Sequence, residues 1–239
     1  ASTVKGVVHE APGAGRSADG RNVFHNQWGL SLLLESERER EQRAVMLDFG
    51  YTAPALINNI GLMNVDPRKV NALIVSHGHI DHYGGLIGFL GQYRNVLPAD
   101  IKLYAGGEDN FCHRYSGTPG QLTDFGALDR RELVAQKVSV VLAETPTVVA
   151  GHAFTTGKIK RASIEKVLPN TLVEFAMKDG LGCDAGHYTS AELLGKTVPD
   201  EHIHEHATCF NIKDRGLVVI SSCGHVGIVN SVRQAQEVS

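Results

Sequence analysis

Residues 70–85, VNALIVSHGHIDHYGG, constrain this chain more than any other stretch. An apolar run ends in a turn that carries His77, His79, Asp81 and His82 within six positions. Residues 72–75 are apolar in succession, the pattern of a strand covered on both faces. Beyond the turn, Leu86, Leu90, Tyr93 and Leu97 recur at i, i+4, i+7 and i+11, which predicts an amphipathic helix packing back on the sheet. The four polar residues thus sit at the carboxyl end of a buried strand, where open α/β sheets gather their ligands.

Imidazole and carboxylate groups at this spacing suit zinc, iron or manganese. His77 and His79 are two apart and can point to one side in extended backbone. Asp81 and His82 follow where the helix begins, and their directions diverge from the first pair. Two divalent ions fit better than one: His77 and His79 on the first, Asp81 and His82 on the second. The other histidines agree, because most of the twelve gather at 77–82, at 202–206 and at His225, with His187 nearby.

The rest of the chain alternates short strands with helices or loops. Residues 29–36 and 44–50 read as a hairpin with a charged tip, and 53–62 as a helix with Pro54 near its start. Asp66 is expected to cap a helical turn that starts at Pro67. Strands are expected at IKLYAGG, KVSVVLAE, PTVVAGHAFTTG and NTLVEFAM, then a pair around 213–216. The final helix is expected to be capped by Asn230. Stretches 105–131 and 177–206 read as long functional loops that would wall a pocket. One domain over 1–239 is expected. Cys112, Cys183, Cys209 and Cys223 are scattered without a CxxC pair, so they read as small buried residues, not as a disulfide framework.

A formal charge of -3 gives no electrostatic case for nucleic acid or an anionic membrane, which leaves a small molecule as the expected partner. No apolar run reaches the roughly 18 residues of a membrane span. Oligomeric state and compartment stay open.

SHGHIDH matches the HxHxDH signature of the metallo-β-lactamase superfamily, and the chain resembles that family over roughly residues 27–239. LDFG resembles its strand-end aspartate, here Asp48. GLVVISSCGHVGIVN, TTGKIKR and DNFCHRY resemble segments of a subgroup that includes dihydropteroate-synthase-like proteins. The resemblance implies a four-layer αββα sandwich with a dinuclear site at one edge for two divalent transition-metal ions, zinc first and iron or manganese as alternatives. It implies His77, His79, Asp81, His82 and His225 as metal ligands, with Asp81 also catalytic. The family's remaining histidine and carboxylate are sought in DEHIHEHAT: Glu205 and His206 foremost, His204 beside them, with Cys223 near the bridging position. Relatives often carry one more histidine beyond the equivalent of Ser239, so either a C-terminal segment outside this sequence supplies the last ligand or His187 or the 202–206 cluster closes the site. The implied activity is hydrolysis of a small ester, lactone, β-lactam or phosphoester by metal-activated hydroxide, with Arg114 or Lys158 as anion partners. An iron-dependent redox protein and a non-enzymatic metal- or ligand-binding protein are the alternatives.

Overall fold

A hairpin opens the architecture. Strands β1 (Leu32–Arg38) and β2 (Glu41–Leu47) pair antiparallel around Glu39 and Arg40, both at positive φ, as the charged tip predicts. Helix α1 (Ala53–Leu62) crosses to β3 (Val70–Val75), which lies parallel to β2. Before β3, Asp66 accepts from the Arg68 amide and caps the turn Pro67–Lys69. Helices α2 (Ile80–Tyr83) and α3 (Leu86–Tyr93) lead to β4 (Lys102–Ala105), parallel to β3. The computed structural model describes residues 23–239 apart from 119, 169, 185, 187, 190 and 192–196, so His187 lies outside the described residues.

Next come β5 (His113–Thr118) and β6 (Gln121–Gly126), an antiparallel pair where the sequence reads as loop. Their strands lack apolar alternation, so periodicity does not reveal them. Helix α4 (Arg130–Ala135) returns to β7 (Ser139–Leu142), the parallel edge of the first sheet. The stretch expected as one strand at 146–157 is folded into β8 (Thr147–Val149) and β9 (Ala153–Thr155), because Ala150 and Gly151 adopt positive φ and turn the chain. Then follow β10 (Thr171–Glu174), β11 (Met177–Lys178), β12 (Leu181–Gly182), β13 (Thr197–Pro199), β14 (Thr208–Ile212), β15 (Gly216–Ile220) and α5 (Ile228–Val238). Sheet orders are β1-β2-β3-β4-β7, β15-β14-β9-β8 and β13-β10-β5-β6, with β11-β12 a small pair.

Alternation along the strands builds four layers. Met46, Leu73, Val75, Leu103 and Ala105 face α1 and α3 through Leu56, Ile60, Leu86, Phe89 and Leu90. Their neighbours Val45, Leu47, Ala72, Ile74 and Tyr104 face the other way, onto Val149, Ala153 and Phe210 of the second sheet. That sheet's far side, with Cys209, Phe154, Leu217 and Val219, packs on Ala235 of α5. The result is the αββα sandwich that the resemblance implies. Burying each such Leu, Ile, Val or Phe contributes about 1.5–3 kcal/mol, and the central strand β3 is buried at all but one position.

Two further expectations are corrected. Cys112 and Cys183 form a disulfide, tying the turn after β4 to the end of β12 across 71 residues of sequence. A pairing that distant leaves no local spacing signal. Asn230 does not cap α5. Gly227 holds the cap position, while Glu165 accepts from the Val229 and Asn230 amides. The Asn230 side chain instead accepts from the amides of Ala162 and Ser163.

Candidate metal centre

Strand β3 ends at Val75, and the chain turns into the histidine motif at the edge of the first sheet. Buried Asp48, just past β2 at φ 60, organises the turn. Its Oδ1 accepts from the Ser76 amide at 2.8 Å. Its Oδ2 accepts from Ser76 Oγ at 2.7 Å, from His82 Nδ1 at 2.7 Å and from Ser222 Oγ at 2.8 Å. Because Ser76 donates to Asp48, its oxygen accepts from His77 Nδ1 at 2.9 Å. This network assigns the proton to Nδ1 of His77 and leaves Nε2 with a free lone pair. That Nε2 is buried and has no hydrogen-bond partner, as is Nε2 of His225.

Among the described residues, three groups of ligand atoms each gather within 4.8 Å: His77, His82 and Cys223; His77, His79 and His225; and His79, Asp200 and His202. The rings are crowded. His202 and His225 stack at 4.0 Å, and His202 Nε2 is 3.2 Å from His79 Nε2. Crowding of neutral imidazoles with unsatisfied buried nitrogens is costly without a cation, so the donor set fits transition-metal ions. Burial, reinforced by Arg114, pushes His79 down to about 2, and burial pushes His202 down to about 3. Burial also lowers His77 and His225. All four are neutral at pH 7 and keep a lone pair. His82 is the exception. Burial opposes its charge, but hydrogen bonds to Asp48, Asp81 and Cys223 outweigh that and raise it to about 12. An ion at its Nε2 must therefore displace a proton.

The structure brings His77, His79, His82 and His225 together, with Asp81 half-buried at the rim. Asp81 Oδ2 is 3.5 Å from His82 Nε2. Burial raises its carboxyl, yet His82 prevails and holds it below the usual range. Cys223 is exposed as a residue, with Sγ 3.1 Å from His82 Nε2. Asp200 and His202 enter the cluster, although neither stood among the foremost sequence candidates. His202 belongs to the 202–206 run expected to close the site, and the signal for Asp200 was its place just before that run. Glu205 and His206, favoured from sequence, point elsewhere. Glu205 Oε2 accepts from the Val226 amide at 2.8 Å, and His206 Nε2 contacts the Val75 carbonyl at 3.0 Å. His202 is at positive φ, which breaks the alternation that would tell which side each residue faces.

Arg114 is fully buried and spent on the chain itself, so it is not an anion partner at the surface. Nε donates to Asp200 Oδ2 at 2.6 Å. The guanidinium also donates to the carbonyls of Gly78, Cys112 and Asp109 and lies 3.2 Å from His204. His204 Nε2 accepts from the Gly78 amide at 2.9 Å, so this ring braces the backbone between His77 and His79. Lys158 pairs with Glu144 at 3.3 Å on the surface. Gly78 is required by closeness: a Cβ there would lie 2.4 Å from both Arg114 Nη1 and the Asn110 carbonyl. Gly78→Ala is expected to cost about 1–3 kcal/mol by overpacking and to lower metal content. A urea midpoint and elemental analysis check this. Wild-type values in both would contradict the geometry.

Residues 29–159 match the sequence profile of the Metallo-beta-lactamase superfamily. The 7,8-dihydropterin-6-methyl-4-(beta-D-ribofuranosyl)-aminobenzene-5'-phosphate synthase of Methanocaldococcus jannaschii is 25% identical over 219 residues, covering 90% of this chain and 67% of that protein. An uncharacterized protein of the same organism is 25% identical over 222 residues, covering 90% and 70%. The solved structure of Rm3 metallo-beta-lactamase is 17% identical with a TM-score of 0.39, and the match covers 80% of this chain and 54% of that one. With its profile match spanning the HxHxDH turn and both flanking layers, this chain belongs to the metallo-beta-lactamase superfamily.

Proposed function

We propose that the protein is a metal-dependent hydrolase acting on a small ester, lactone or phosphoester at a dinuclear centre. The observation that carries this reading is the pair of buried, unpartnered Nε2 atoms on His77 and His225 inside a ring of neutral imidazoles. Two of the three groups share no residue: His77, His82 and Cys223 on one side, and His79, Asp200 and His202 on the other. That supports two ions, though divided differently from the pairs that the spacing suggests. Zinc suits the mixed nitrogen, sulfur and oxygen donors. Bound ions would supply Lewis acidity, making water a nucleophile near neutral pH and polarising the substrate oxygen.

The chain's own residues do the rest. Asp48 fixes the ring of His82 by holding Nδ1. Asp81, ionised and partly open to solvent, can accept a hydrogen bond from the attacking water and orient it. A carboxylate held below its usual range is a weak base, so orientation is its stronger contribution. Burial, reinforced by Arg114, keeps His79 and His204 neutral, and Arg114 does this without reaching the substrate.

The methanogen relative is named as a synthase whose product carries a phosphate, which favours a phosphorylated substrate and a second reading, bond formation at the same groups. The test is turnover of chromogenic carboxylic esters and phosphodiesters by zinc-loaded protein. Hydrolysis that chelator abolishes and zinc restores is expected. Zinc uptake without turnover of any such ester would defeat the hydrolase reading in favour of the synthase or a binding protein.

A further inference from the structure

The loop 221–227 joins β15 to α5 and carries Cys223 and His225. Seven residues without strand partners would not by themselves hold two side chains against His77 and His82. One end is anchored by Ser222 Oγ, which donates to Asp48. The other is anchored by a residue that the proposed chemistry leaves unused. Glu205 is 2% exposed, and its Oε2 accepts from the Val226 amide at 2.8 Å. The amides of Gly224 and His225 lie against the same carboxylate. Amides turned onto one carboxylate lower the cost of burying its charge only in part, since burial prevails and raises the Glu205 carboxyl above its ordinary range. Glu205 also belongs to the segment bearing His202, and its own amide donates to the His202 carbonyl at 2.9 Å.

We infer that Glu205 is a positioning residue: its carboxylate clamps the amides of 224–226 and so sets Cys223 and His225 against the histidines of the β3 turn. The reading of these residues as metal ligands rests on the proposed function, but the clamp exists in the metal-free chain and is tested there. Glu205→Gln keeps the size and removes the charge, turning a donor towards amides that need an acceptor. In metal-free protein, hydrogen exchange at 224–226 is expected to speed at least tenfold, while amides of β3 keep their wild-type rates. In zinc titrations the same variant is expected to bind about 10–100-fold more weakly with unchanged stoichiometry. Glu205→Asp, which keeps the charge on a shorter arm, is expected to fall between the two in both measurements.

Unchanged exchange at 224–226 in Glu205→Gln overturns the clamp. Equal acceleration in β3 overturns it too, since the residue would then serve general stability. Loss of a whole metal equivalent with unchanged exchange makes Glu205 a ligand and likewise overturns it. Should Glu205→Gln not fold, Glu205→Asp decides on the same two exchange windows. If wild-type protein takes up no zinc, the metal reading fails while the exchange experiment still judges the clamp.

Discussion

A His79→Ala protein is expected to fold, to lose at least one equivalent of bound metal, and to lose about 10^3-fold in kcat/KM, or about 4 kcal/mol of transition-state stabilisation. His79 earns this weight by membership of two of the three donor groups, with His77 and His225 and with Asp200 and His202. No neighbour can replace it, because its Nε2 faces His202 Nε2 at 3.2 Å and Asp200 Oδ2 at 3.9 Å. Removing the ring leaves His202 and Asp200 without a third donor. Folding should survive, since the lost imidazole is a neutral group rather than half of an ion pair. Elemental analysis, circular dichroism and turnover on one preparation give the answer. A well-folded His79→Ala protein with full metal and activity would sink the site assignment.

Arg114→Met is expected to act through stability. Its guanidinium and the Asp200 carboxylate are both buried and 2.6 Å apart. Removing one partner of such a pair strands the other charge and costs about 3–5 kcal/mol. For a domain of this size that lowers Tm by roughly 6–20 °C. Carbonyls of Cys112 and Asp109 also lose their donors. Acid dependence gives an independent check. Burial raises the Asp200 carboxyl, but Arg114 leads the opposing contacts and holds it well below its ordinary range. A group depressed in the folded state contributes fully above its unfolded value of about 3.9 and loses that contribution as pH falls below it. Metal-free wild type should therefore lose stability as pH drops below about 4, and Arg114→Met should lose less over the same interval. The double variant Arg114→Met with Asp200→Asn should cost less than the two single losses added together. Additive losses would show that the pair is not coupled.

The parts of the fold legible in sequence were those governed by local periodicity. The apolar run of β3, the i, i+4 spacing of α3 and the charged tip between β1 and β2 each follow from neighbours in the chain. The HxHxDH turn was legible for the same reason, since its strand and helix are adjacent to it. Arg114 was not. A loop arginine reads as solvated, and only Asp200, 86 residues away, together with several carbonyls explains its burial. The choice of His202 and Asp200 over Glu205 and His206 was hidden by irregular backbone, where no period says which side a residue faces. The disulfide was hidden by distance alone.

The centre also constrains the order in which the chain can be built. Its donors come from the turn at 77–82, from 200–202 and from 223–225, so no early fragment contains a complete donor group. The β1–β2 hairpin and α3 need only local contacts and can form while synthesis continues. The β3 turn must then wait, with its imidazoles unmatched, until residues 200–202 complete the His79 group and residues 223–225 complete the other two. An ion captured there would tie the β3 turn to segments that reach it only through tertiary folding, adding a tether to a seam already held by apolar packing.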